Sequence, residues 1–145
     1  SDPDYRLTVQ DIAAWETRNG RVPRGAIVLM RSGWGARWPD RARYFGATRE
    51  GDTKSYHFPG FSKEAAEFLS RERSVDAVGL DTPSLDPGPS SVFAAHRVFG
   101  AANVPGLENV ASLERIPETG ATILALPIKI SGGTGGPARI VAILP

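Results

Sequence analysis

The apolar positions of this chain fall into short blocks of different period. In residues 8–20, Ile12 and Trp15 share one face of a helical repeat. Thr8 offers an N-cap oxygen, Asp11 follows three positions on, and Asn19-Gly20 supplies a stop. That pattern predicts a helix. Ala26-Ile27-Val28-Leu29-Met30 follows Gly25 as a continuous apolar run, the pattern of a strand buried on both faces. Residues 32–61 then lose any period. Glycines and prolines alternate with Trp34, Trp38, Tyr44, Phe45, Tyr56 and Phe58, so the segment reads as a long aromatic-rich loop with room for a short helical turn.

Ser62 next caps a helix with Ala65, Phe68 and Leu69 on one face, and residues 75–80 (VDAVGL) form the following strand. The helix-then-strand order predicts an α/β layer. DTPSLDPGPS, residues 81–90, is a loop, and a short helix is expected over 91–99. LENV, residues 107–110, reads as a short strand. Thr122, Leu124, Leu126, Ile128 and Ile130 alternate as in a half-buried strand, with Pro127 favouring an edge or a bulge. SGGTGGP joins it to a last strand over 138–144. With no repeat and no internal boundary, residues 1–145 are expected to form one domain.

Composition narrows the picture by exclusion. The chain has 145 residues, 41% of them apolar and 23% charged, enough for a real core. Seventeen basic residues nearly balance sixteen acidic ones, which gives no footprint for nucleic acid or an anionic membrane. No apolar run reaches the roughly 18 residues of a membrane span. The absence of cysteine excludes disulfides and thiolate metal sites, and a cytoplasmic address is the default expectation. The chain starts at Ser1-Asp2-Pro3-Asp4 and its only methionine is Met30, so it is expected to be trimmed from something longer.

Few residues offer chemistry. SGGTGGP lacks the spacing of a phosphate loop and precedes a strand, so it reads as a hairpin or connector. His96 and Glu108 are separated by a turn, Asn103-Val104-Pro105-Gly106, that can bring them together, and their donors suit Zn²⁺, Mn²⁺ or Fe²⁺. Two donors fall short of a catalytic site, and a lone histidine among apolar residues more often serves packing. His57, the other histidine, fits a surface or packing role. Asp81 and Asp86 flank a loop at a strand end, where carboxylates either contact substrate, support other site residues from behind, or, the reading favoured here, build turns and cap helices. Trp34 and Trp38 either line an aromatic pocket or pin the loop. No GxSxG elbow supports a triad through Ser84 or Ser90.

Several segments together resemble the C-terminal part of the cyclase family of metal-dependent hydrolases, whose members include arylformamidases (kynurenine formamidases) and isatin hydrolases. They are GAIVLMRSGWGARW from Gly25, FPGFSKEAAEFL from Phe58, VDAVGLDTPSLDPGPSSVFAAHRVFGAANVPGLENVASLERIP from Val75 and ATILALPIKISGGTGGPARIVAIL from Ala121. The resemblance implies a cyclase-like α/β fold, with a mostly buried sheet or barrel core, flanking helices and an incomplete N-terminal side. It implies that His96 and Glu108 bind a divalent metal, Mn²⁺ or Zn²⁺. The family's other ligands, and a proton-transfer histidine, lie in or near an upstream HxGTHxDxP motif that this chain lacks. The implied activity is hydrolysis of a small amide, formamide or cyclic amide, completed by an N-terminal segment or separate chain carrying HxxxHxD. Trp34 and Asp81 are expected to contact the substrate, and self-association into a homo-oligomer is expected. The competing expectation is a non-catalytic remnant of the fold that binds a small molecule or a protein.

Overall fold

A computed structural model describes residues 2–47, 49 and 51–145. The chain divides into two compact units, Ser1–Leu113 and Glu114–Pro145.

The first unit opens with β1 (Arg6–Leu7) and α1 (Val9–Asn19). The Thr8 hydroxyl accepts the Asp11 N–H while the Asp11 carboxylate answers the Thr8 N–H, so the expected capping box forms. Next come β2 (Ile27–Met30), a 3-10 turn (Trp34–Arg37), α2 (Arg41–Phe45), a second 3-10 turn (Thr53–Ser55) and β3 (Gly60–Phe61). The stretch expected to be mostly loop therefore holds more order than its composition suggests, although Thr48 and Glu50 lie outside the described residues. Ser62 caps α3 (Lys63–Glu67), which runs into a π-helical turn, Phe68–Glu72.

β4 (Ala77–Leu80) lies at the centre of a parallel sheet, with β2 on one side and β5 (Gly106–Leu107) on the other. Every residue of β4 is buried, as its apolar run demands. β2 differs from expectation: only Met30 is buried, because β2 forms an edge of this three-stranded sheet. α4 spans Ala94–Ala101. The core joins Ile12, Phe61, Leu69, Val78, Leu80, Leu85 and Phe99. Phe61 and Phe99 meet edge to face with ring centroids 5.5 Å apart. Trp34, Tyr44 and Phe58 form a second cluster.

The second unit is an antiparallel hairpin of β6 (Thr122–Pro127) and β7 (Ala138–Ile143), joined through SGGTGGP as expected. Its alternation has the right period but the opposite phase. Ile123, Ala125, Ile140 and Ala142 are half-buried, while Leu124 and Leu126 are 41% and 56% exposed. The strand ends at Pro127, which cannot donate to a ladder.

The mixed α/β class holds, but the barrel alternative does not. Among the described residues the sheets have two, three and two strands, too few to close. No helix of the described residues is long and apolar enough to cross a membrane.

Candidate metal centre

Parallel β4 and β5 end on the same side, and both carry chemistry beyond their last residues. Glu108 directly follows β5. Asn109, at φ 57°, turns the chain out of the strand, while its N–H and that of Val110 bond the carbonyls of Thr82 and Leu80. Glu108 is thereby fixed beside the loop that follows β4.

His96 sits in the first turn of α4. Its Nε2 lies 3.2 Å from Glu108 Oε1, so the structure brings the expected pair together. Its Nδ1 lies 2.7 Å from Asp86 Oδ2. The same carboxylate accepts the N–H groups of Ala95 at 2.8 Å and His96 at 3.1 Å, and so caps α4 from eight residues before its first residue. Phe93 precedes the helix in the left-handed region and provides no cap, which is why α4 starts at Ala94 and not near Ser91.

The charges follow from this arrangement. Hydrogen bonds to Asp86 first, and then to Glu108, push the His96 imidazole up to about 9 against the cost of burial. Burial works to raise the Asp86 carboxyl, but bonds from the His96 ring and from the Ala95 and His96 backbone outweigh it and hold the pKa below the usual value. Burial, reinforced by the charges of Asp81 and Glu108, pushes the Tyr44 phenol up to about 12. Its hydroxyl lies 2.9 Å from Asn109 Oδ1 and 3.2 Å from the Asp81 carbonyl oxygen, tying the aromatic cluster to this edge of the sheet.

The other two expected residues are buried. Asp81, 3% exposed, accepts from Ser32 N–H at 3.0 Å, Ser32 Oγ–H at 2.6 Å and Gly35 N–H at 3.3 Å. Trp34, 5% exposed, donates its indole N–H to the Tyr44 carbonyl and lies under the Arg37 guanidinium, 3.6 Å from the ring centroid. Both therefore shape the turn after β2. His57 pairs with Asp4 at 2.9 Å on the surface. Asp86 joins two of the roles open to it from the sequence, capping α4 and bonding the His96 ring, and its contact with α4 separates it from Asp81.

The donor set fits part of a metal site. Bonds of about 2.0–2.2 Å to imidazole nitrogen and carboxylate oxygen set neighbouring donors about 3.0–3.5 Å apart, the range in which His96 and Glu108 lie. An imidazole whose second nitrogen is held by a carboxylate is the usual form of a metal-ligating histidine. Among the described residues no group of three or more histidines and carboxylates is arranged to hold an ion, so the pair by itself does not make a metal site.

The chain belongs to the family described as "Putative cyclase", whose model matches residues 1–87. It is similar to the isatin hydrolase of Roseibium aggregatum, with 35% identity over 149 residues that cover 100% of this chain and 55% of the relative. Among solved structures it is similar to isatin hydrolase A from Ralstonia solanacearum, at 40% identity and a TM-score of 0.90, covering 98% of this chain and 54% of that one. Isatin hydrolase A from Labrenzia aggregata, solved with benzyl benzoate, matches at 37% identity and a TM-score of 0.90, covering 99% and 55%. The chain thus spans about half the length of these relatives.

Proposed function

We propose that this chain is part of a metal-dependent hydrolase of small amides, formamides or cyclic amides. In this reading His96 and Glu108 are two ligands of a divalent metal centre, Zn²⁺ or Mn²⁺. The observation that carries the reading is the 3.2 Å approach of His96 Nε2 to Glu108 Oε1, with Asp86 behind the imidazole. The remaining ligands and a proton-transfer histidine come from an HxxxHxD segment outside these residues, for which relatives of about twice the length leave room. The intact enzyme is a homo-oligomer in this reading.

A bound divalent ion supplies Lewis acidity toward a carbonyl and lowers the pKa of water. His96 presents Nε2 while Asp86 retains the proton on Nδ1. Glu108 would hold such an ion through Oε1, the oxygen that faces His96, and its other oxygen would be left to orient water. Asp81 and Trp34 support the substrate side by fixing the turn after β2.

The test is hydrolysis of aryl formamides and isatin-type cyclic amides by the intact protein, stripped of metal and then reloaded with Zn²⁺ or Mn²⁺. Turnover restored by metal is expected. The shortage of ligands among the described residues favours one other reading, a non-catalytic binding module. Metal binding or small-molecule binding without turnover of any substrate would select it.

A further inference from the structure

Both proposed ligands are held by one dipeptide. Leu85 donates its backbone N–H to Glu108 Oε1 at 3.1 Å, and the next residue, Asp86, accepts from His96 Nδ1 at 2.7 Å. This dipeptide is itself locked in place. The Leu85 carbonyl accepts the Phe61 N–H at 2.8 Å, and Gly88 N–H donates to the Phe58 carbonyl at 2.9 Å, pinning the loop along β3. Gly60 leaves no room for a side chain there: an added Cβ would lie 2.4 Å from Pro87 N and 2.7 Å from the Leu85 carbonyl oxygen. On the other side a Cβ at Gly106 would lie 2.5 Å from Leu85 Cδ1. Leu85 and Asp86 are 3% and 2% exposed, so the strap itself is shielded from water, while the His96 and Glu108 side chains that it holds stay 42% and 33% exposed.

We propose that Leu85-Asp86 is a positioning strap: Asp86 selects which nitrogen of His96 faces Glu108, and the Leu85 N–H fixes the Glu108 carboxylate opposite it. Asp86 is a positioning residue, acting through His96. The inference rests on reading His96 and Glu108 as metal ligands. An Nδ1–H donated to Asp86 leaves Nε2 as the only nitrogen that can ligate. A neutral or missing acceptor at residue 86 loosens the ring and lowers its basicity. Asp86 also caps α4, so a purely structural role predicts lost stability alone, whereas the strap predicts lost metal affinity as well.

The experiment uses the intact protein with ¹⁵N-labelled histidine and compares wild type, Asp86→Asn and Asp86→Ala. Three quantities are read: Zn²⁺ affinity by competition with a chromophoric chelator, the His96 ring signals with and without zinc, and thermal stability without metal. The wild type should show a low-field, slowly exchanging Nδ1 proton in both states, and zinc should shift the Nε2 signal. Asp86→Ala should lose that proton signal and bind zinc about 10–100-fold more weakly. Asp86→Asn keeps an acceptor oxygen and a helix cap, and should fall between. Wild-type zinc affinity in both variants, with His96 still shifting, would overturn the strap alone. A wild-type His96 ring that ignores zinc would overturn the ligand reading, and the strap with it, even where the Nδ1 proton signal shows Asp86 in place.

Discussion

Glu108 Oε1 lies 3.2 Å from His96 Nε2, although the two residues stand 12 positions apart in the sequence. α4 and the turn before β5 close that gap. The contact brings a carboxylate to the one imidazole nitrogen that Asp86 does not hold, and leads to a titration that separates the two carboxylates.

In the metal-free protein His96 is pushed up to about 9 by Asp86 and then Glu108. Glu108→Gln removes the second of these charges, so the variant's imidazole should titrate below the wild type and above a free histidine, near 6.5. Because the folded pKa is raised, the stabilisation is fully present below about pH 6.5 and lost as the pH rises through about 9. Ring titration by NMR checks the shift. An unchanged midpoint in Glu108→Gln would remove this contact from the solution structure.

Two glycines should respond in opposite ways to alanine. Gly60→Ala forces its Cβ into the backbone at Asp86 and Pro87, with no flexible side chain to yield, and should cost about 1–3 kcal/mol. Gly100 lies in α4 with open space where a Cβ would stand, so Gly100→Ala should stabilise by up to about 1 kcal/mol. Denaturant unfolding measures both. A neutral Gly60→Ala would mean that the loop after β4 is not packed against β3 as described.

Glu16 and Arg73 tie the last turns of α1 to the end of the π-helical turn through two bonds, Nε–Oε1 at 2.6 Å and Nη2–Oε2 at 2.8 Å. The Arg73 bond, helped by the Val22 N–H, pulls the Glu16 carboxyl down to about 2. A depressed folded pKa gives stability that is present above about 4.5 and lost as the pH falls through about 2. Glu16→Gln should cost about 1–3 kcal/mol at pH 7 and flatten the fall in stability between pH 5 and 2. Unfolding curves across that range decide it; an equally steep fall in the variant would place the acid sensitivity elsewhere.

The parts of the fold legible in the sequence are those set by neighbours in the chain. Thr8 and Asp11 meet three residues apart, and Ala77–Leu80 is apolar because both of its faces are covered. The start of α4 was not legible, because its cap is Asp86 and not the residue before the helix. β6 kept its alternation in the opposite phase, with Ile123 and Ala125 the less exposed positions, since period alone does not say which face is the less exposed. At the site, the turn at residues 103–106 makes His96 and Glu108 legible as a pair, but two donors alone do not distinguish a metal site from packing. Asp86 was visible as a strand-end carboxylate, but its partner was not, because the Pro, Gly and Ser content of its loop does not say which helix it meets.

The central claim is that His96 and Glu108 bind one metal ion together. Zinc stoichiometry and affinity of the intact protein, measured for wild type, His96→Gln, Glu108→Gln and the double variant, test it most directly. Gln at residue 108 keeps an oxygen for the Leu85 N–H, so the loop is spared. One tightly held equivalent is expected in the wild type. Each single variant should lose about 100-fold or more in affinity, and the double variant little beyond that, because the two residues act as one centre. One equivalent bound at wild-type affinity in Glu108→Gln would contradict it.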